Sequence, residues 1–160
     1  CYDGDTPAQA AGRSLLENDL TVAVIEMCTG GALTNSITDV SDSLTYFKGS
    51  TVAYDGAALS ASGVPAEVME KHGVVSQETA NAMAETVRQR FKADLGIAVT
   101  RVPGPGEFEG KPLGLAYITV TNGVKTREME MRLPPRRVTI KRRVPNQALI
   151  ELRRLVEETR

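Results

Sequence analysis

The stretch richest in groups that could do chemistry is Glu26-Met27-Cys28-Thr29-Gly30-Gly31, which follows a short apolar run. A buried strand that turns through two glycines into a helix leaves free N–H groups and a partial positive charge at the helix start. That arrangement suits a phosphate or a carboxylate. Glu26, at the strand end, is placed to accept hydrogen bonds from a hydroxyl or an amide. The same pattern also fits a plain strand-to-helix turn that needs glycine for its geometry. Thr100-Arg101-Val102-Pro103-Gly104-Pro105-Gly106 is the second candidate, again just after an apolar run. Open α/β sheets gather their binding loops at such strand ends, although Pro-Gly-Pro-Gly is first of all a rigid loop. The third is the basic cluster of Arg132, Arg136, Arg137, Lys141, Arg142 and Arg143. Its guanidinium groups suit a phosphate, or else they form a solvated helix face.

Several chemistries are excluded. His72 is the only histidine, and Gly73 after it marks a helix end where an imidazole stabilises the last carbonyls. One histidine and two separated cysteines, Cys1 and Cys28, do not make the usual zinc patterns, so no metal and no cofactor is expected. There is no glycine-lysine phosphate loop and no G-x-S-x-G elbow. A formal net charge of −1 gives no whole-molecule attraction to nucleic acid or to an anionic membrane. Apolar runs such as residues 20–25 are far too short to cross a bilayer. Two cysteines give no disulfide framework, so a reduced, cytoplasmic setting is expected, with Cys1 in a tail over residues 1–5. The start at Cys1 fits a fragment of a longer polypeptide, and processing or an engineered start fits equally well.

The elements that must hold these residues can be read from periodicity. Residues 6–18 have helix character, with Ala8, Ala11 and Leu15 on one face. Residues 20–25 read as a strand buried on both faces. A helix through Leu33 and Ile37 follows, then a strand over 50–54. Pro65 suits the first residue of a short helix ending near Gly73. Ser76 caps a helix carrying Met83, Val87 and Phe91, with Ala80 and Ala84 beside them, and Glu78 lies in its first turn. A strand over 95–100 is followed by a pair over 115–122 and 124–133, joined at Asn122-Gly123, with Met129 and Met131 on one face. The last helix carries Leu149, Leu152, Leu155 and Val156, and Pro145 must begin or kink it. With 160 residues, 41% of them hydrophobic, the chain is sized for one core. Strands that alternate with helices early and pair as a hairpin late predict an α/β fold, three-layer α/β/α on a mixed sheet, as a single domain over 1–160.

Taken together, these segments resemble the C-terminal domain of the CinA family, the competence/damage-inducible protein family. Its catalytic members are nicotinamide-nucleotide amidohydrolases of the PncC type. The likeness runs over about residues 20–155. The family's Glu-Ser-Cys-Thr-Gly-Gly signature stands here as Glu26 to Gly31, and its Gly-Ser-Ser stretch as Asp42-Ser43-Leu44 between Thr38-Asp39 and Phe47. The Val-x-Tyr strand is Val52-Ala53-Tyr54, Gly-Val is Gly63-Val64, and His-Gly-x-Val-Ser runs from His72 to Ser76. Thr-Gly-x-Ala-Gly-Pro becomes Thr100 to Pro105, and Lys-Pro-x-Gly is Lys111 to Gly114. Arg137 and Arg142 fall where the family carries arginines, and Ala148-Leu149 matches its Ala-Leu.

The resemblance implies a small-molecule pyridine nucleotide as ligand. It also implies Glu26, Thr29, Gly30, Gly31, Ser43, Thr100, Arg101, Gly104, Arg137 and Arg142 as binding positions, with Met27, Cys28 and Tyr54 at the catalytic ones. Family enzymes remove ammonia from the carboxamide of nicotinamide mononucleotide, with a serine nucleophile helped by a lysine shortly after the tyrosine. Both positions differ here. Met27 fills the serine slot, and the run Tyr54-Asp55-Gly56-Ala57-Ala58-Leu59 has no lysine. Arg101 replaces a family glycine. Cys28 is the remaining nucleophile, since a helix N-terminus favours its thiolate. Against that, neighbours in an extended segment point to opposite sides, and the family motif already has a cysteine beside its serine.

Three readings follow: a relative with lost or much reduced amidohydrolase activity that binds a nucleotide or pairs with another domain, an active amidohydrolase using altered groups, and an enzyme for a more anionic substrate recognised by Arg101. The resemblance also implies an N-terminal molybdopterin-binding-like domain in a longer chain. Self-association to a homo-oligomer is a further expectation.

Overall fold

The computed structural model describes residues 4–160, so Cys1 and most of the expected tail lie outside the described residues. Chain order is α1 (Pro7–Glu17), β1 (Val22–Met27), α2 (Ala32–Thr38), α3 (Ser43–Tyr46), β2 (Phe47–Ala53), α4 (Gly56–Ala61), α5 (Ala66–His72), α6 (Gln77–Arg90), β3 (Leu95–Arg101), β4 (Leu115–Thr121), β5 (Thr126–Arg132) and α7 (Arg137–Glu158). The strands form one sheet in the order β2-β1-β3-β4-β5. β1 pairs parallel with β2 and β3, whereas β3–β4 and β4–β5 are antiparallel, which makes the sheet mixed as expected.

Alternation along the strands divides the core between two faces. Val22, Val24, Ile97 and Val99 pack with Leu15 of α1, Leu33 of α2, Tyr46 of α3 and Ile140 and Leu149 of α7. Ala23, Ile25, Met27 and Ala98 pack on the other side with Leu59 of α4 and Met83 and Val87 of α6. The result is the three-layer α/β/α arrangement. On the second face α6 lies so close to β3 that a Cβ at Gly96 would meet the Ala84 carbonyl oxygen at 2.1 Å, so only glycine fits there.

Local signals explain the element ends. Thr6 and Gln9 form a reciprocal capping box with Pro7 in the first turn of α1. Ser76 caps α6 by accepting from the Thr79 amide. The differences from expectation are also physical. β1 extends to Met27, because Glu26 and Met27 still pair with Val52 and Ala53. β2 begins at Phe47, three residues before the strand expected at 50, and the short helices α3 and α4 carry too few residues to show a period. Pro65 precedes α5 as its cap and is not its first residue. The hairpin turns over residues 122–125, where Asn122 Oδ1 accepts from the amides of Val124 and Lys125.

Pro145 neither begins nor ends its helix, since α7 starts eight residues earlier at Arg137. An interior proline forgoes one ladder bond and crowds the carbonyl four residues back, at a cost of about 3 kcal/mol. Ile140, Val144, Ala148, Leu152 and Leu155 are fully or almost fully buried along one face, and that burial offsets it. The basic cluster is thereby divided: Arg132 ends β5, Arg136 caps α7, and the rest ride on its first two turns.

Candidate functional site

Because β1, β2 and β3 are parallel, their carboxyl ends share one edge of the sheet. That edge brings together Glu26, Met27, Cys28, Thr29, Gly30, Gly31, Tyr54, Thr100, Arg101 and Gly104. The start of α7 adds Arg137, whose Nη2 donates to the Pro103 carbonyl at 3.2 Å. It also adds Lys141, which was read only as one member of a basic run: a methyl group added at Gly30 would stand 3.3 Å from Lys141 Nζ. Two of the expected residues are elsewhere or apart. Ser43 opens α3, ahead of β2, so the seven-residue strand separates it from this edge by about 20 Å. Arg142 is exposed on α7 and makes no ion pair among the described residues.

Glu26 is fully buried and wholly engaged. Its Oε1 accepts from the Thr29 hydroxyl at 2.6 Å and the Leu33 amide at 2.9 Å. Its Oε2 accepts from the Thr34 amide at 2.8 Å and the Thr34 hydroxyl at 2.5 Å. The anion at the N-terminus of α2 is therefore the chain's own carboxylate. Gly30 and Gly31 have φ of +67° and +88°, and Cys28 reaches +65°, so the turn is left-handed almost throughout. Cys28 has a Cβ and pays a strain cost for that conformation.

Met27 is buried on the α6 side, with its sulfur 3.8 Å from the Thr100 hydroxyl. Thr100 in turn donates to the Val74 carbonyl at 3.0 Å. The Cys28 thiol is buried and donates to the Tyr54 carbonyl at 3.3 Å. Burial pushes the thiol upward, the Arg101 charge opposes this, and Asp55 adds to it, with a net rise. This cysteine is held as a thiol. Tyr54 itself is exposed, and Asp55 Oδ1 accepts from the Ala58 amide to cap α4.

Arg101 is 3% exposed. Its Nη1 donates to the Val102 carbonyl at 3.2 Å, and its buried Nε has no hydrogen-bond partner. Burial depresses the guanidinium, Cys28 counters, Arg137 depresses it further and Tyr54 counters, with a net fall. No carboxylate pairs with Arg101, Arg137 or Lys141 among the described residues, whereas Arg88, Arg127 and Arg154 all have one. Glu109 and Lys111 were not singled out as site residues. The Glu109 carboxylate accepts from the amides of Val74 and Val75 at 2.8 and 2.9 Å, and Lys111 donates to the Val75 carbonyl. They tie the 104–114 loop to the residues beside Thr100, and no periodicity marks such loop-to-loop bonds.

Among the described residues no three His, Cys, Asp or Glu side chains gather as a metal-ligand set, and no helix is long and apolar enough to cross a membrane. A cleft of about 400 Å³ lies between α1 and the later half of α7, lined by Thr6, Ala10, Leu149 and Arg153 among others. None of its lining residues belongs to the carboxyl edge of the sheet.

Comparison with known proteins places this geometry. Residues 5–156 match the family described as the CinA C-terminal domain. The chain is 41% identical over 155 residues to a CinA-like protein of Endomicrobium trichonymphae, covering 96% of this chain and 36% of that protein. It is 40% identical over 159 residues to a CinA-like protein of Gloeobacter violaceus, covering 96% and 37%. The chain thus spans little more than a third of the length of these relatives. The fold superposes on a competence-damaged protein (CinA) superfamily protein from Klebsiella pneumoniae with a TM-score of 0.90 at 21% identity, covering 95% and 96% of the two chains. For a competence/damage-inducible protein from Agrobacterium tumefaciens the TM-score is 0.85 at 28% identity, covering 94% and 96%.

Proposed function

Because this chain belongs to the CinA family through its C-terminal domain, we propose that it is a nucleotide-binding domain whose amidohydrolase activity is lost or much reduced. The observation that carries this reading is the pair at the end of β1. Met27, in the position of the family serine, is buried and has no proton to lose, and Cys28 beside it is a buried thiol donating to a carbonyl. Acyl transfer needs an activated nucleophile, and loss of one can cost about a million-fold in turnover. Binding needs less. Arg101 and Arg137 lie together where the parallel strands end, and Lys141 lies beside Gly30 at the same edge, which supports an anionic small molecule of the pyridine nucleotide class there.

The test is ammonia release from nicotinamide mononucleotide at high protein concentration, beside calorimetric titration of the same compound. The expected outcome is heat of binding with no ammonia above background. Release by the parent chain that disappears in Cys28→Ala would install Cys28 as the nucleophile and overturn the reading. In the longer relatives the corresponding segment is joined to further chain, and a role pairing with such a domain is compatible with ligand binding here.

A further inference from the structure

The sheet has two edge strands, β2 and β5, and they are built differently. On β5 four of the seven residues, Arg127, Glu128, Glu130 and Arg132, are charged, and a charged edge deters pairing with another chain. On β2, which runs Phe47-Lys48-Gly49-Ser50-Thr51-Val52-Ala53, Lys48 is the single charge and no proline interrupts the strand. Among the described residues no strand pairs with its outer side. Of the seven large apolar side chains exposed among those residues, three belong to this strand or its flanks: Leu44 at 93%, Val52 at 51% and Tyr54 at 66%. The pairing on the inner side fixes which backbone groups are free. The Cys28 amide donates to the Ala53 carbonyl, so Ala53 turns its backbone groups toward β1, and by alternation Ser50 and Val52 turn theirs outward. Charge is arranged to match. Lys48 near one end of the strand and Asp55 just past the other are exposed, opposite in sign and without an ion pair among the described residues. Seven residues of extended chain hold them about 23 Å apart, too far to meet within one chain. A parallel neighbour would set Lys48 beside Lys48, whereas an antiparallel one sets it beside Asp55.

We propose that β2 pairs antiparallel with β2 of a second copy of this chain, about a two-fold axis at Thr51, and that the partner's Lys48 thereby joins Tyr54 and Asp55 at the candidate site. In this register Ser50 of each chain exchanges backbone hydrogen bonds with Val52 of the other, and Thr51 faces Thr51. Lys48 lies opposite Tyr54 and next to Asp55, a cross-strand pair of opposite charge. The two five-stranded sheets then run on as one. Tyr54 and Asp55 belong to the site through charge, since Tyr54 acts on the buried Arg101 and Asp55 on Cys28. The second copy therefore brings a lysine to an edge whose own 54–59 run has none. This pairing does not depend on the nucleotide reading.

The experiment is analytical ultracentrifugation of the intact chain over a concentration series, beside carbodiimide coupling of a mixture of isotope-labelled and unlabelled chains. Carbodiimide joins an amine to a carboxylate in direct contact, and the reagent takes up the water lost as the amide forms. The parent should sediment at twice the chain mass, and peptide mapping should find Lys48 linked to Asp55 in mixed-label pairs. Val52→Lys puts a charge into the open edge and should raise the dimer dissociation constant at least about tenfold, with circular dichroism unchanged. Should that variant not fold, Lys48→Glu changes an exposed side chain and sets like charges together at both ends of the pairing. It should weaken the dimer more at low salt than at high salt. Thr51→Cys in a Cys1→Ser chain should form an inter-chain disulfide on mild oxidation, because residues facing each other across the axis stand within disulfide reach. A parent that stays monomeric, a dimer indifferent to both charge variants, or a dimer without the Lys48–Asp55 link would each overturn the proposal. None of these results bears on nucleotide binding, which is tested separately above.

Discussion

Glu26→Ala is the sharpest test of how the glycine turn is built. The carboxylate of Glu26 takes four hydrogen bonds, two from hydroxyls of Thr29 and Thr34 and two from the backbone amides of Leu33 and Thr34. The hydroxyls can rotate toward other acceptors. The amides cannot, because both belong to the first turn of α2, where no intrahelical carbonyl reaches them. Leaving a buried donor unsatisfied costs about 1–3 kcal/mol, so two of them, with the lost packing, come to about 4 kcal/mol. For a chain of this size that lowers the thermal midpoint by about 8–16 °C. Urea unfolding followed by circular dichroism gives the free-energy difference, and hydrogen exchange at Leu33 and Thr34 shows whether the loss is local. Glu26→Gln keeps the shape but turns an NH2 toward one pair of donors, so about half the loss is expected. A loss below about 1 kcal/mol in the alanine variant, or no change in exchange at those two amides, would refute the assignment of Glu26 as the internal anchor of α2.

Two further outcomes follow from perturbed groups away from Glu26. Glu151 is 2% exposed on α7; burial pushes its carboxyl up, but bonds from Arg127 and Gln147 and the charges of Arg127 and Arg154 outweigh that and hold it below its ordinary value. A carboxylate lowered in the folded state adds stability above its unfolded value, near 4.3, and this is lost as pH falls through the lower folded value. Stability measured from pH 6 to pH 3 should therefore fall less steeply in Glu151→Gln, and at pH 7 that variant should lose about 1–2 kcal/mol, discounted because both arginines are partly exposed; parallel pH profiles would contradict this. Cys28, held as a raised-pKa thiol, should resist iodoacetamide at pH 7.5 in the native chain and react once urea unfolds it, read by peptide mapping so that Cys1 is scored separately. Rapid labelling of native Cys28 would show that its thiol is open and ionised.

Much of this architecture is written locally in the chain. Apolar runs such as those ending at Ile25 and Thr100, the Thr6 and Ser76 caps and the Asn122-Gly123 turn are short-range signals, and each marks an element that the fold contains. The paired glycines at 30 and 31 mark a bend ahead of a helix, and the structure makes that bend left-handed. The departures at Met27 and in the 54–59 run were equally plain, because the absence of a nucleophile or a lysine is a statement about composition.

Other features depended on what lies across space. Strand length is set by pairing partners, so β1 runs on through Glu26 against both β2 and β3, and through Met27 against β2, although its apolar run has ended. Pro145 reads as a breaker until the burial on both sides of it outweighs one lost ladder bond. Glu26 reads as a free acceptor until its own helix supplies four donors. Ser43 belongs to another of the stretches that carry the family resemblance, yet the length of β2 carries it to the opposite end of the sheet. Lys141 gains its meaning only because α7 begins early enough to hang it over Gly30. The sequence by itself determined the layer order and which chemical groups were present. Which of those groups are satisfied, and which cations at the sheet edge have no carboxylate among the described residues, was decided only by tertiary packing, because hydrogen bonds and charge pairing depend on distances between residues far apart in the chain.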